Sequence, residues 1–335
     1  MKAMVLERAG PIENQPLKLR EVEPPRMGRF DALMEVKACG VCGTDLSIVE
    51  GRFKPPRLPI VPGHEAIGRV LAVGEDASGL VREGDLIGAY WVHSSCGSCD
   101  YCLTGREQLC LERRVNGLDN DGCYAEQMVV DARYAVKIPS GLSPEEAAPF
   151  MCAGLTAYRS IKLSGAEPGR RIGVIGVGGL GSFAIQIAKL RGARVTAISR
   201  SSVKLEMARR LGADETVPED EASKMAGEFD SVVLLAPFPK LVEVGMRLLR
   251  KGGSMIVAAN LDEVPNMPYR STLASERCVR SVSVGGRQEL KELLGLAGSG
   301  ALRPIPVEPM PLEEANEALL RVKRGDVIGR VVLRP

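Results

Sequence analysis

Short apolar runs cut by turn residues fill roughly the first 150 positions of the chain. Asp31–Lys37 and Ala66–Val73 are two of them. Runs this short, split by Gly and Pro, predict β-strands and a mainly β domain over 1–150. The pattern changes at Ser143-Pro144-Glu145-Glu146. Ser143 can cap a helix N-terminus, with Pro144 in the first position and Glu146 as the reciprocal acid of a capping box. From Arg171 onward, apolar runs alternate with amphipathic ones. Arg171–Ile175, Arg194–Ser199, Ser231–Ala236 and Ser254–Ala258 read as strands, and Leu180–Arg191 and Val203–Leu211 as helices between them. That alternation predicts a doubly wound parallel sheet with crossover helices over 151–297. A short β-like tail within 298–335, ending in Gly329–Leu333, returns to the first domain.

Length agrees with this division, since 335 residues hold two domains of roughly 100–200 residues each. Hydrophobic residues make up 45% and charged residues 26% of the chain, an ordinary globular balance. The formal net charge is +2, and bases such as Arg209 and Arg210 are interleaved with acids. Neither a nucleic-acid stripe nor a membrane-binding surface is expected. Lys2, Glu7 and Arg8 interrupt the first residues, and no window approaches about 18 uninterrupted apolar residues. The expected location is the cytoplasm, where the nine cysteines should be thiols or metal ligands rather than disulfides.

Four of those cysteines are clustered. Cys96, Cys99, Cys102 and Cys110 follow C-x2-C-x2-C-x7-C, within a lobe spanning 91–112. Two-residue gaps let successive thiolates wrap one metal, and four sulfurs suit tetrahedral zinc with no open position, a structural site. Iron–sulfur proteins also use four cysteines, but their common spacings differ. The bland alternative is four unrelated thiols or disulfides.

Arg171–Ile175 runs into Gly176-Val-Gly178-Gly179-Leu180-Gly181, a G-x-G-x-x-G turn between a strand and a helix. Such a turn lets the backbone approach a pyrophosphate and sets it at a helix N-terminus. The alternative is a tight turn in a nucleotide-free α/β domain. About 20 residues further on, an acid would hold the adenosine ribose 2′-hydroxyl of NAD. This chain has Ser199, Arg200 and Ser201 there, followed by Lys204. Without a carboxylate to repel a 2′-phosphate, and with Arg200 to bind it, NADP(H) is favoured over NAD(H). Ser201 also suits a helix N-cap, with Arg200 merely solvated.

Three further segments are weak individually: Cys39–Asp45, Gly63–Gly68 and Cys152–Ala157. Together with the cysteine lobe, the glycine turn and the closing Gly329–Leu333, they resemble the zinc-containing medium-chain dehydrogenase/reductase family over nearly the whole chain. Trp91-Val-His-Ser-Ser-Cys96 is similar to the entry into the zinc lobe of its propanol-preferring bacterial alcohol dehydrogenases. The resemblance implies a GroES-like catalytic domain joined to a Rossmann domain, two zinc ions per chain, and hydride transfer between an alcohol or aldehyde and a nicotinamide. It implies that Cys42, His64 and Cys152 bind a catalytic zinc, with Glu65 beside or transiently on the metal. Asp45 would orient His64, Thr44 would hydrogen-bond the substrate hydroxyl, and Arg330 would lie near the cofactor pyrophosphate. It also suggests a homotetramer or homodimer. Cys39, Cys123 and Cys278 receive no role beyond structure, and His93 a lesser one than His64.

Two positions bear on specificity. Related enzymes often place a His three residues after the substrate-binding Thr, ending a proton relay; this chain has Ser47, which is not a base at neutral pH. Trp91 would line the alcohol pocket and narrow it toward small primary alcohols, or else be a core residue without substrate contact. A polyol, amino alcohol or hydroxyacyl-CoA is the competing substrate, although Cys152 stands where the polyol branch usually has Glu. A non-catalytic nucleotide-binding relative would show gaps among Cys42, His64, Glu65 and Cys152, and none is missing.

Overall fold

The computed structural model describes residues 1–261 and 272–335. They divide into two units. The first is Met1–Cys152 with Gly286–Pro335, and the second is Ala153–Gly285.

In the first unit β1 (Lys2–Leu6) pairs antiparallel with β2 (Leu17–Glu21). Its main sheet is built on β3 (Asp31–Gly40) and β4 (Glu65–Val73), joined by α1 (Gly43–Val49) and a loop. Buried and half-buried positions alternate along β3, the period-2 signature that its sequence carries. β5 (Leu86–Ala89), β8 (Gln127–Asp131) and β9 (Val136–Lys137) extend the sheet, and β6 (Val92–Ser94) pairs with β7 (Arg114–Val115) at the base of the cysteine lobe, which carries α2 (Asp100–Leu103). A large core of Met34, Val36, Ile48, Val70, Tyr124 and Leu333, among others, packs beneath β3 and α1. The predicted capping box is present: Ser143 Oγ accepts the Glu146 amide ahead of α3 (Pro144–Ala147).

The second unit opens with α4 (Ala153–Leu163), and strands and helices then alternate through β12. β10 (Arg171–Ile175), α5 (Gly179–Leu190), β11 (Arg194–Ser199), α6 (Ser202–Arg210), β12 (Glu215–Pro218), β13 (Phe229–Leu234), α7 (Lys240–Leu248), β14 (Leu249–Val257) and β15 (Cys278–Ser281) form one parallel sheet with its helices. The strand order is β12-β11-β10-β13-β14-β15. Numbered from β10 this is 3-2-1-4-5-6, the Rossmann order, whose switch point lies beside the first strand.

The chain re-enters the first unit at Gly286 rather than at 298. α8 (Arg287–Gly298) therefore belongs with the β domain. A Cβ on Gly286 would fall on the Gly105 carbonyl oxygen, and the Arg287 amide donates to buried Glu107 at 2.5 Å. These contacts tie the start of α8 to the cysteine lobe. β16 (Val307–Pro311), α9 (Ala315–Arg324) and β17 (Arg330–Arg334) complete the unit, with β17 antiparallel to β3. No helix among the described residues is long and apolar enough to cross a membrane.

Candidate active site

The end of β3 and the start of β4 lie side by side, with Gly40 opposite Glu65. Gly40 has to lack a side chain, because a Cβ there would fall on the Glu65 carboxylate. Two residues on, Cys42 stands as the N-cap of α1. Asp45, in the first turn of that helix and fully buried, directs one carboxylate oxygen to the Cys42 amide at 3.0 Å and the other to His64 Nδ1 at 2.7 Å. Cys152, at the end of the first unit's long N-terminal segment, completes the group: the ligand atoms of Cys42, His64, Glu65 and Cys152 all lie within 4.8 Å of one another.

This donor set fits zinc. A carboxylate at Nδ1 fixes the proton there and leaves Nε2 as a lone-pair donor. His64 Nε2 is buried and has no hydrogen-bond partner among the described residues. Two sulfurs and one imidazole are also what an open catalytic zinc site uses. The hydrogen bond from Cys152 holds the Cys42 thiol well below its ordinary value, toward the ligating thiolate. Burial pushes the Glu65 carboxyl up to about 8, against the pull of the Arg330 guanidinium. Arg330 is 7% exposed and directs its Nη2 at Glu65 Oε1. A buried carboxylate beside thiolates requires such a counter-charge.

Trp91 meets His64 edge to face, with centroids 5.1 Å apart and planes at 81°. Asn116 fixes that segment: its amide N–H donates to the Trp91 carbonyl and its side chain to the Tyr90 carbonyl. His93 Nδ1 faces Asn116 Oδ1 at 3.0 Å, so the second histidine is tied to this bracket. Thr44 is half-buried at the start of α1. Ser47 is buried, and its hydroxyl donates to the Gly43 carbonyl at 3.0 Å.

Two features escaped the sequence reading. Tyr124, fully buried, donates its hydroxyl to Asp45 at 3.3 Å, from 79 residues away. Cys39 and Cys123, expected as thiols, are joined in a disulfide. β3 and the segment before Tyr124 run close enough to bring their Cα atoms to 6.0 Å, inside the usual range for such a bridge. No spacing in the chain signals either contact. Cys278 lies exposed on β15.

In the lobe, Cys96 Sγ lies 3.8 Å from Cys102 Sγ and 3.6 Å from Cys110 Sγ, and Cys99 Sγ lies 3.6 Å from Cys102 Sγ. A tetrahedron with Zn–S bonds of about 2.3 Å has edges of about 3.8 Å. The four sulfurs are therefore spaced for one zinc with every position filled by protein.

In the second unit the glycine turn follows β10. Gly176 has a φ of +98°, and a Cβ there would press on Ala236. Gly181 packs directly on the Gly176 carbonyl, whereas a Cβ on Gly178 would meet nothing within 4 Å. Gly178 therefore borders open space at the N-cap of α5, where Gly179, Leu180 and Gly181 begin the helix. This is a backbone cradle suited to a pyrophosphate. Ser199, 8% exposed, accepts the Ser201 amide, and Ser201 caps α6 by accepting the Lys204 amide. The capping reading of Ser201 thus holds. Arg200 is not idly solvated: it stacks 4.6 Å from the Phe238 ring, with Nε 3.8 Å from Glu219.

Residues 28–140 match the family model described as alcohol dehydrogenase GroES-like domain, and residues 179–299 match zinc-binding dehydrogenase. An alcohol dehydrogenase of Geobacillus stearothermophilus is 40% identical over 342 residues, covering 100% of this chain and 99% of that protein. The solved alcohol dehydrogenase of the archaeon Aeropyrum pernix superposes with a TM-score of 0.91 at 33% identity, covering 100% of each chain. The cobalt- and zinc-bound thermostable alcohol dehydrogenase of Pyrobaculum aerophilum gives 0.93 at 31%, covering 100% of this chain and 99% of the other. Fold, donor set, cofactor turn and relatives converge: the chain belongs to the zinc-containing medium-chain alcohol dehydrogenase family, and is a zinc- and nicotinamide-dependent oxidoreductase of alcohols and aldehydes.

Proposed function

We propose that this enzyme acts on small primary alcohols such as ethanol or 1-propanol, holds two zinc ions per chain and prefers NADP(H) to NAD(H). The observation that carries the substrate reading is the edge-to-face contact between Trp91 and His64. An indole packed on a zinc ligand removes volume next to the metal, and bulky or branched alcohols lose most by that.

Cys42, His64 and Cys152 are assigned to the catalytic zinc, with Glu65 beside it. Cys96, Cys99, Cys102 and Cys110 are assigned to the structural zinc. When bound, zinc supplies Lewis acidity at the alcohol oxygen and the nicotinamide takes the hydride, giving an aldehyde. The residues of the chain position and discharge. Asp45 holds the His64 ring in the tautomer that ligates. Thr44 is the hydroxyl assigned to the substrate proton. Ser47 is not assigned to carry that proton onward, because its own is committed to the Gly43 carbonyl and the side chain is buried. Proton release then follows another route, and Ser47→His should change the pH profile of kcat. A normal relay with an unchanged profile would refute this.

The NADP(H) preference is supported by Ser199-Arg200-Ser201, which carries no carboxylate at the end of β11. The exposed edge strand β15, unpaired on its outer side among the described residues, supports a homodimer or homotetramer. Six proposed ligating thiolates favour a reducing compartment, the cytoplasm, whereas the Cys39–Cys123 disulfide is of a kind rare there. Initial rates over primary, secondary and aromatic alcohols, with NAD and NADP in parallel, test the reading. Secondary or aromatic alcohols preferred over ethanol and 1-propanol would overturn the substrate assignment. NAD preferred by about an order of magnitude would overturn the cofactor assignment.

A further inference from the structure

β11 and β12 pair in parallel with Ser199 opposite Pro218. The chain leaves both strands side by side, which makes the next residues, Arg200 and Glu219, neighbours. Arg200 Nε lies 3.8 Å from the Glu219 carboxylate, and Lys240 Nζ, from the first residue of α7, lies 4.0 Å from it. The Glu219 side chain is only 17% exposed, against 62% for Arg200 and 70% for Lys240. One sheltered carboxylate is thus shared by two cations that reach out to solvent. Phe238 stacks on the Arg200 guanidinium and fixes its plane. Both ion pairs exceed hydrogen-bond length, so a ligand anion can draw the cations away without breaking a direct bond.

In a sheet of this order the end of β11 is where the adenosine ribose is held. A 2′-phosphate brings about −1.5 to −2 charge there, whereas a 2′-hydroxyl brings none. The phosphate would compete with Glu219 for Arg200 and Lys240 and be repelled by its carboxylate. The uncharged ribose would feel neither effect.

We propose that Glu219 is a specificity-determining residue that acts through Arg200 and Lys240. It tempers both cations and holds the affinity for a 2′-phosphorylated cofactor below what they would otherwise give. The proposal rests on the reading that Arg200 faces the ribose 2′ position, but not on which cofactor is finally preferred.

Binding of 2′,5′-ADP and 5′-AMP to the whole enzyme, by calorimetry, tests it with wild type, Glu219→Gln, Glu219→Ala, Arg200→Ala and the double variant Arg200→Ala/Glu219→Gln. Both Glu219 variants should bind 2′,5′-ADP about two- to fivefold tighter, with 5′-AMP unchanged. The gain should shrink when Arg200 is absent. A 2′,5′-ADP to 5′-AMP affinity ratio that stays the same or falls in both Glu219 variants overturns the proposal, as does an equal gain for both ligands. Failure of the underlying reading appears elsewhere: Arg200→Ala would then leave the wild-type ratio untouched. Two variants at position 219 guard against one that misfolds, and a thermal melt identifies it.

Discussion

Asp45 is shared between the backbone and the ring of a neighbour: one oxygen takes the Cys42 amide at 3.0 Å while the other faces His64 Nδ1 at 2.7 Å. A single carboxylate thereby sets the position of one proposed zinc ligand and the tautomer of another. Asp45→Ala should lower zinc affinity or kcat/KM by about 10- to 100-fold. Tyr124→Phe removes only the third donor to that carboxylate and should cost about 1 kcal/mol of stability with a much smaller loss of zinc. Chelator competition and thermal melts on both variants check the ranking. Equal effects would mean that Tyr124 orders the site as strongly as Asp45 does.

The lobe should separate metal content from chemistry. Cys99→Ser is expected to reduce zinc from about two to about one per chain by elemental analysis. The remaining ion should still support alcohol oxidation at low temperature, while the melting temperature falls. Glu107 ties this lobe to the first amide of α8 and to the Tyr90 hydroxyl at 3.0 Å, so the destabilisation should reach beyond the lobe. Loss of both zincs in Cys99→Ser would show that the two sites are not independent.

Trp91 predicts a shape effect. Trp91→Ala should raise kcat/KM for longer or branched alcohols relative to ethanol by about 10-fold or more, since each methylene in such a pocket is worth roughly 1–3 kcal/mol. An unchanged chain-length profile would remove Trp91 from the pocket wall.

Two glycines of the cofactor turn should fail in different ways. Gly181→Ala drives a methyl into the Gly176 carbonyl and should unfold or loosen the second unit. Gly178→Ala meets no protein atom within 4 Å, so it should fold normally yet bind nicotinamide cofactors about 10-fold more weakly or worse, because the methyl occupies the space the pyrophosphate needs. Normal cofactor binding by a folded Gly178→Ala protein would displace the cradle assignment.

Asp230 gives a pH signature. Burial pushes its carboxyl up, but the Arg171 amide at 2.8 Å and the guanidiniums of Arg170 and Arg250 outweigh that and hold it below its ordinary value of 3.8. A depressed carboxylate contributes stability that is present above its unfolded value and lost as pH falls through the folded one. Asp230→Asn should cost roughly 1–2 kcal/mol at pH 7, and the gap to wild type should close below about pH 4. A gap that stays constant down to pH 3 would mean the charge is not what stabilises.

Local spacing carried the sequence reading furthest. Arg171–Ile175 and Arg194–Ser199 are strands with the bounds read from the chain, and the Ser143–Glu146 capping box forms. The same applies to the cysteine lobe, whose four cysteines lie within fifteen residues and are brought together by the reach of a short loop. The sequence does not single out β12, which spans only four residues whose partner is set by the sheet.

What the sequence determined by itself were the features that a few consecutive dihedrals or a fixed ligand spacing can encode: strands, helix starts, the glycine turn and the four-cysteine lobe. Cys42, His64 and Cys152 carry no common spacing, and only resemblance drew them together. The β3–β4 register, with Gly40 opposite Glu65, brings Cys42 and His64 into one pocket. Contacts such as Tyr124 with Asp45, Arg330 with Glu65, Cys39 with Cys123 and Glu219 with Arg200 were decided by tertiary structure alone. Each joins positions separated by many residues, and sheet register and core packing, not local chain geometry, fix which distant side chains share a buried space.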